Sequence, residues 1–177
     1  TIARNLGVKK SSNQTKIISF IDDDVTISAS FFNKILEVFN KETTAKGVAA
    51  FNDGDEYLNI GTFEKIARRL FFISYPEDGM ARIISAYGNT YPRELKNTIN
   101  SQWLPGVNMA YKKEIFSEQS FDENLLGYTV AEDIDFSYRL FKKYSHSLYI
   151  TPYAKLIHRY SQAERLPTKK MAYINQI

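Results

Sequence analysis

Cysteine is absent from the 177-residue sequence, which excludes disulfide bonds and thiolate chemistry and fits a reducing compartment. No apolar run approaches the roughly 18 residues that a membrane-spanning helix needs, and no secretion signal is recognisable. Neither sign of charge dominates, because the formal net charge is only +3 and the lysines and arginines are dispersed. That balance argues against a nucleic-acid partner. We therefore expect a cytoplasmic protein.

One domain is predicted over residues 1–177, since 44% hydrophobic residues are enough for one sizeable core. We assign residues 1–160 to the domain core and residues 161–177 to a C-terminal tail. The basic residues of the tail suit a solvated face, which is the favoured interpretation, or peripheral contact with the inner face of an anionic membrane. Residues 1–8 resemble the end of a helix with Gly7 as its C-cap, so we expect a fragment that lacks the first strands of its domain.

A β-branched and aromatic run over residues 16–21 is followed directly by Asp22-Asp23-Asp24. The run predicts a strand that is buried on both faces by helices. Ligands of open α/β sheets bind at the carboxyl ends of the strands, and adjacent carboxylates are commonly neutralised by a divalent cation. The alternative is a solvated loop in which Asp23 faces water and Asp24 helps to cap the next helix.

Helices and strands alternate along the first third of the chain. Apolar residues recur at helical spacing over residues 29–40, with Ser28 or Ser30 as the cap, and a short strand is predicted over residues 46–51. This alternation is typical of an α/β protein with a mostly parallel sheet and flanking helices. A further helix is predicted over residues 62–72, with an extended continuation over residues 71–73 as the alternative.

Residues 74–98 are rich in Gly, Pro, Asn and Tyr, which predicts loops around one short strand at residues 81–86. Long loops in a compact domain are often functional. Two interpretations therefore stay open, acceptor-binding loops and an irregular surface segment.

The single tryptophan precedes a Pro-Gly turn and a predicted strand at residues 107–111. Trp103 offers an apolar face for stacking on a sugar or base, although a lone tryptophan is more often part of a core. Gly106 lets the backbone come close to a ligand.

A second group of acids opens a helix predicted over residues 129–143, with Ile134, Tyr138 and Phe141 on one face. Glu132 stands at capping-box spacing from the start of the helix, and Asp135 is four residues before an arginine. Asp133 has no such local partner. It is therefore the candidate to accept a proton from a bound hydroxyl.

The ordered motifs resemble those of the family 2 glycosyltransferases, which have the GT-A fold. Their order and spacing cover most of the chain. They are Ala3-Arg4-Asn5 with Gly7, Asp22-Asp23-Asp24 at the DXD position, Gly106-Val107-Asn108-Met109-Ala110, Phe121-Asp122-Glu123 with Gly127, Ala131-Glu132-Asp133-Ile134-Asp135, and Lys155-Leu156-Ile157-His158.

The resemblance implies an inverting transfer of a sugar from a nucleotide-diphosphate sugar to a hydroxyl of a glycan or lipid-linked acceptor. Asp133 would be the general base, and a divalent Mn²⁺ or Mg²⁺ would be held by Asp22, Asp24 and His158. A structural histidine at a strand end is the alternative for His158. Substrate binding would involve Arg4, Asn5, Asp22, Asp23, Trp103, Gly106, Asn108 and Glu132.

Two other classes of protein fit parts of the same pattern. Asp22-Asp23-Asp24-Val25-Thr26 after an apolar strand also resembles the signature of haloacid-dehalogenase-like phosphatases, in which Asp22 would be the nucleophile and the metal magnesium. That signature usually opens its domain, whereas a helix precedes it in this chain. A non-catalytic module that binds a sugar nucleotide is the third interpretation.

Overall fold

A computed structural model describes residues 1–52, 80–84, 88–92, 94–125 and 131–159. The predictions for the helix at 62–72, for the start of the second acidic helix before residue 131 and for the tail at 161–177 lie outside these ranges. Within the described residues, no helix is long and apolar enough to cross a membrane.

Three α-helices, one 3-10 helix and nine strands are found in the described residues. The helices are α1 (Ile2–Lys10), α2 (Phe31–Lys41) and α3 (Glu132–Lys143), with the 3-10 helix at Lys113–Ser117; the strands are β1 (Ile17–Ile21), β2 (Val25–Ile27), β3 (Gly47–Ala50), β4 (Ile83–Ile84), β5 (Gly88–Asn89), β6 (Ile99–Ser101), β7 (Asn108–Lys112), β8 (Leu148–Thr151) and β9 (Leu156–His158).

Five of the strands form the central sheet, in the order β1-β7-β3-β8-β6. The α/β class, with helices that flank a central sheet, is confirmed. The pairing differs from the mostly parallel sheet expected from the sequence, because only β3 and β8 pair in parallel among the described strands. The alternation of helices and strands does explain why β1, β3 and β8 all run in one direction. β7 runs in the opposite direction and is inserted between β1 and β3.

The core lies on both faces of this sheet. Successive side chains of β3 point to opposite faces, so Val48 packs with α2 and Ala49 packs with α3. The sequence predicts β1 as a strand buried on both faces, but β1 lies at the edge of the described sheet and its side chains are half-buried or exposed. The wholly buried strand is β3, whose small residues let aromatic rings approach closely.

Helix α3 buries a different face from the predicted one. Ile134, Tyr138 and Phe141 are only partly buried, whereas Phe136 and Leu140 are fully buried. The reason is aromatic packing, since the ring of Phe136 stacks at 4.2 Å on a phenylalanine ring of the loop that precedes the helix. The predicted ion pair within this helix is confirmed, because Arg139 Nη2 lies 2.8 Å from a carboxylate oxygen of Asp135.

Helix α1 continues through Gly7 and ends at Lys10, with Ser11 as its C-cap, so the predicted C-cap at Gly7 is wrong. The backbone N–H and the hydroxyl of Ser11 both donate to the Val8 carbonyl, at 3.1 and 2.7 Å. These bonds satisfy the last turn without a residue in the left-handed conformation.

Substitution of this helical glycine should stabilise the protein. A Cβ on Gly7 would meet no atom within 4 Å. We expect Gly7→Ala to raise the free energy of unfolding by about 0.5–1 kcal/mol, because alanine loses less backbone entropy in a helix. Urea denaturation followed by circular dichroism measures this change.

The matched control is Gly47→Ala in β3, where the new Cβ would lie 2.7 Å from ring carbons of Tyr111. Overpacking there should lower the free energy of unfolding by about 1–3 kcal/mol. Changes of the same sign in the two variants would contradict this account.

Candidate active site

The two predicted groups of acids meet at one edge of the sheet, where β1 ends and β7 begins. Ile21 pairs with Asn108 across these strands, and the backbone N–H of Asp22 donates to the Val107 carbonyl at 3.1 Å. Val107 belongs to the tight turn of residues 105–108, which is closed by an Asn108 N–H donating to the Pro105 carbonyl at 3.2 Å. The first acidic group is therefore anchored to this turn.

The second acidic group contacts the same turn from the other side. The backbone N–H of Gly106 donates to Asp133 Oδ2 at 2.6 Å, and the N–H of Ile134 donates to Asp133 Oδ1 at 2.8 Å. A Cβ on Gly106 would lie 3.0 Å from Asp133 Oδ2, so a glycine allows this close approach. The sequence predicts that the Gly106 backbone approaches a ligand, whereas in the structure it approaches the Asp133 carboxylate.

Arg4 of α1 links the two groups of acids. Its Nη1 donates to Glu132 Oε1 at 2.6 Å, and its Nη2 lies 3.8 Å from Asp22 Oδ1. The side chains of Arg4 and Glu132 are only 19% and 18% exposed. The guanidinium thus supplies positive charge between carboxylates that would otherwise repel one another.

Asp24 is paired with His158, which lies near the far end of the described chain. β2 and β9 form a two-stranded antiparallel ribbon that sets Val25 opposite His158. Asp24 Oδ1 and His158 Nε2 are 3.1 Å apart, and the backbone N–H of Arg159 donates to the Asp24 carbonyl at 2.8 Å. Asp23, between the two inward acids, is exposed.

Burial makes the carboxyl of Asp133 a weaker acid than an exposed aspartate. Desolvation raises the pKa of its carboxyl from 3.8 to about 6, although the N–H groups of Ile134 and Gly106 oppose the shift. Burial also raises the pKa of Asp22, and the charge of Arg4 counteracts that rise. A carboxylate with a pKa near 6 is mostly ionised at neutral pH and is still basic enough to accept a proton.

The predicted metal ligands are partly assembled. In the portions of the chain that the structure describes, no three His, Asp or Glu side chains are grouped so as to hold a metal ion by themselves. Asp24 and His158 are close enough to contact one ion together, while Asp22 faces Arg4. Mg²⁺ in nucleotide sites usually has one or two carboxylates plus substrate phosphates and water as ligands. A donor pair from Asp24 and His158 fits such a partly substrate-built shell.

Trp103 and Asn5 belong to the framework around the edge. Trp103 is buried in the core, as the alternative interpretation had it, and its Nε1 donates to the Thr90 carbonyl at 2.9 Å. Asn5 bonds to both backbone groups of Phe121, with its Oδ1 accepting at 3.0 Å and its Nδ2 donating at 2.9 Å. These contacts fix α1 to the loop that leads towards α3.

Asn108 replaces backbone pairing between two diverging strands. β3 and β7 pair only at Gly47 and Val48, and beyond them the side chain of Asn108 bonds both backbone groups of Ala50. The Ala50 N–H donates at 2.5 Å and the Ala50 carbonyl accepts at 3.2 Å. Asn108 is fully buried, so its amide fixes the separation of the strands behind the turn.

Ser137 is a further residue of the site, and its hydroxyl accepts from the Leu104 N–H at 3.1 Å and donates to the Asp133 carbonyl. It is absent from the residues predicted from the sequence. The signal was the spacing, because a serine four residues after Asp133 stands one helical turn further along the same face.

Comparisons with known proteins find a likeness of fold. No protein-family model matches the sequence, and no curated protein matches it. The structure is similar to the crystal structure of GalNAc-T7 with UDP, GalNAc and Mn²⁺, with a TM-score of 0.60 and 16% identity, over 94% of this chain and 32% of that one. A slighter likeness to A197 from STIV, with a TM-score of 0.47 and 13% identity over 94% of this chain and 76% of that one, is too low to support an inference.

The first likeness shows that the chain has a glycosyltransferase-like GT-A fold. The chain spans about a third of the length of GalNAc-T7, since it covers 32% of that structure. Membership of family 2 stays a prediction.

The raised pKa of Asp133 predicts a pH-dependent stability. Between about pH 4 and pH 6 the folded carboxyl holds a proton that the unfolded chain has already lost, so the free energy of unfolding falls as pH rises. We expect wild type to lose about 3 kcal/mol relative to Asp133→Asn across this window. Urea denaturation of both proteins at pH 4, 5, 6 and 7 measures the difference. If the free energy of unfolding changed with pH in the same way in both proteins, the raised pKa of Asp133 would be contradicted.

Proposed function

We propose that this chain is the catalytic part of an inverting family 2 glycosyltransferase, which moves a sugar from a nucleotide-diphosphate sugar to an acceptor hydroxyl. The observation that carries the proposal is the turn at residues 105–108. The Val107 carbonyl accepts the backbone N–H of Asp22, and the Gly106 N–H donates to the Asp133 carboxylate, so two acidic residues with different environments flank one short segment. The GT-A-like fold supports this choice over the other classes.

The donor would bind at the first acidic group. Asp24 and His158 would hold Mn²⁺ or Mg²⁺ together with diphosphate oxygens, and Asp22 and Asp23 would contact the nucleotide. When bound, the metal would neutralise the negative charge that develops on the leaving phosphate. Asp24 and His158 are close to each other and would supply two ligands to the metal. The remaining coordination positions would then be open to the substrate.

Asp133 would accept the proton of the acceptor hydroxyl as it attacks the sugar. Each carboxylate oxygen accepts one backbone N–H, from Ile134 or from Gly106. An ionised carboxylate has about four acceptor sites, so a substrate hydroxyl can still bond to it. The two amides hold the group in one orientation, which general base catalysis requires.

Arg4 and Glu132 would shape the space between donor and acceptor. Their bond at 2.6 Å fixes the Glu132 carboxylate beside Asp133, where it would position a sugar. The acceptor would be a glycan or a lipid-linked molecule of polysaccharide biosynthesis. The proposed location is the cytoplasm, with peripheral contact at the inner face of the membrane for a lipid-linked acceptor.

Turnover of nucleotide sugars tests the proposal. The full chain is incubated with Mn²⁺ and a panel of nucleotide sugars, and the release of free nucleotide is measured. We expect Asp133→Asn to lower turnover by about 10²–10⁴-fold, because the proton acceptor is lost, while donor binding is retained. Asp135→Asn is the control, since Asp135 is paired with Arg139 and should leave turnover unchanged.

Other results would identify the alternatives. Undiminished turnover in Asp133→Asn would contradict the assigned base. Hydrolysis of a general phosphoester with Mg²⁺, abolished by Asp22→Asn, would identify a phosphatase. Metal-dependent donor binding without any turnover would indicate a binding module.

Donor binding should depend on a divalent metal. We expect EDTA to abolish binding of the donor in calorimetry, and Asp24→Asn and His158→Gln each to weaken it by roughly tenfold or more, equivalent to about 1.4 kcal/mol. Glu37→Gln, a surface acid paired with Lys34, is the control and should change nothing. Binding that resists EDTA would contradict the metal assignment.

A further inference from the structure

The turn that contacts Asp133 is attached to α3 at a second point. The Leu104 N–H donates to the Ser137 hydroxyl at 3.1 Å, two residues before the Gly106 N–H donates to Asp133. Both acceptors lie on α3, one helical turn apart. The segment from Leu104 to Gly106 is therefore hydrogen-bonded to the start of α3 at both of its ends.

Ser137 is suited to this attachment because it is completely buried in the first half of α3. Its hydroxyl donates to the Asp133 carbonyl four residues earlier, which leaves oxygen lone pairs to accept another bond. Leu104 is also completely buried, and a buried backbone N–H needs an acceptor. The Ser137 hydroxyl is that acceptor.

The short segment between the two contacts is stiff. Pro105 fixes one backbone angle, and its carbonyl accepts the Asn108 N–H to close the turn. Asn108 is itself fixed by two bonds to Ala50. A displacement of Leu104 would therefore move Gly106 as well, rather than being absorbed in a flexible loop.

We propose that Ser137 is a positioning residue for Asp133: its buried hydroxyl holds the turn against α3 and thereby keeps the Gly106 amide on the Asp133 carboxylate. This inference rests on the proposed role of Asp133 as the general base. Ser137 contacts no substrate in this account and acts through the position of Gly106. The other titratable groups that face Asp133 are Glu132 of α3 and the buried Tyr111 of β7, which also bonds the Ser137 hydroxyl, and the substitution of Ser137 changes neither of these residues.

The test is a pH titration of the Asp133 carboxyl in the full chain by carbon-detected NMR, with its signal assigned by its loss in Asp133→Asn. We expect Ser137→Ala to raise the pKa of Asp133 above its wild-type value, because the ionised form loses the Gly106 hydrogen bond. The acid limb of the kcat profile should move in the same direction. The loss of kcat should then be larger at pH 6 than at pH 8, with an unchanged KM for the donor.

A matched control separates this effect from a general loosening of the helix. Ser147 is a buried serine just beyond the other end of α3, and its hydroxyl donates to the Tyr144 carbonyl. Ser147→Ala should leave the titration of Asp133 unchanged. Ser137→Thr retains a hydroxyl and should restore the wild-type titration.

Each result supports or overturns the proposal. Should Ser137→Ala fail to fold, Ser137→Cys retains the side-chain volume with a much weaker hydrogen-bonding group, and its titration carries the test. An unmoved titration in the tested variant would overturn the proposal, and so would an equal shift in Ser147→Ala. The titration needs no turnover, so an inactive wild type would overturn the proposed function while the titration still reports on Ser137.

Discussion

Repulsion among carboxylates is the constraint on which the arrangement of this protein depends. Asp22, Asp24, Glu132 and Asp133 reach one edge of the sheet, and each has a compensating group from a separate part of the chain. The compensating groups are a guanidinium from α1, an imidazole from β9 and a backbone amide from the turn before β7. Because these segments are distant in sequence, balancing the acids also ties the domain together.

Local patterns in the sequence were enough to predict the individual strand and helix that lead to and from the first acidic group. The apolar run before Asp22 formed β1, and the helical spacing after Ser30 formed α2, because both patterns report burial of neighbouring residues. The position of β7 between β1 and β3 was not predictable in this way. It depends on strand pairing over a long separation, which leaves no periodic signal. β8 contains β-branched and aromatic residues, a composition that is itself typical of a strand.

The same division applies to the side chains. The sequence indicated Asp133 because it lacked an obvious side-chain partner nearby, and its actual partners, the N–H groups of Ile134 and Gly106, are backbone groups that no residue pattern reveals. The buried face of α3 contains the polar residue Ser137, whose hydroxyl accepts from the Leu104 N–H and donates to the Asp133 carbonyl, and the spacing of apolar residues gives no sign of such a bonded serine. Trp103 and Asn108 illustrate a related limit, since a side chain that suits a ligand is equally suited to a core.

The ribbon of β2 and β9 has a consequence for how the protein is made. Asp24 is synthesised well before His158, with which it is paired at the edge of the ribbon. The helices of the described residues and the strands of the central sheet all precede His158 along the chain, but the Asp24–His158 pair cannot form until His158 has been synthesised. This contact is therefore among the last that the described residues can make during synthesis.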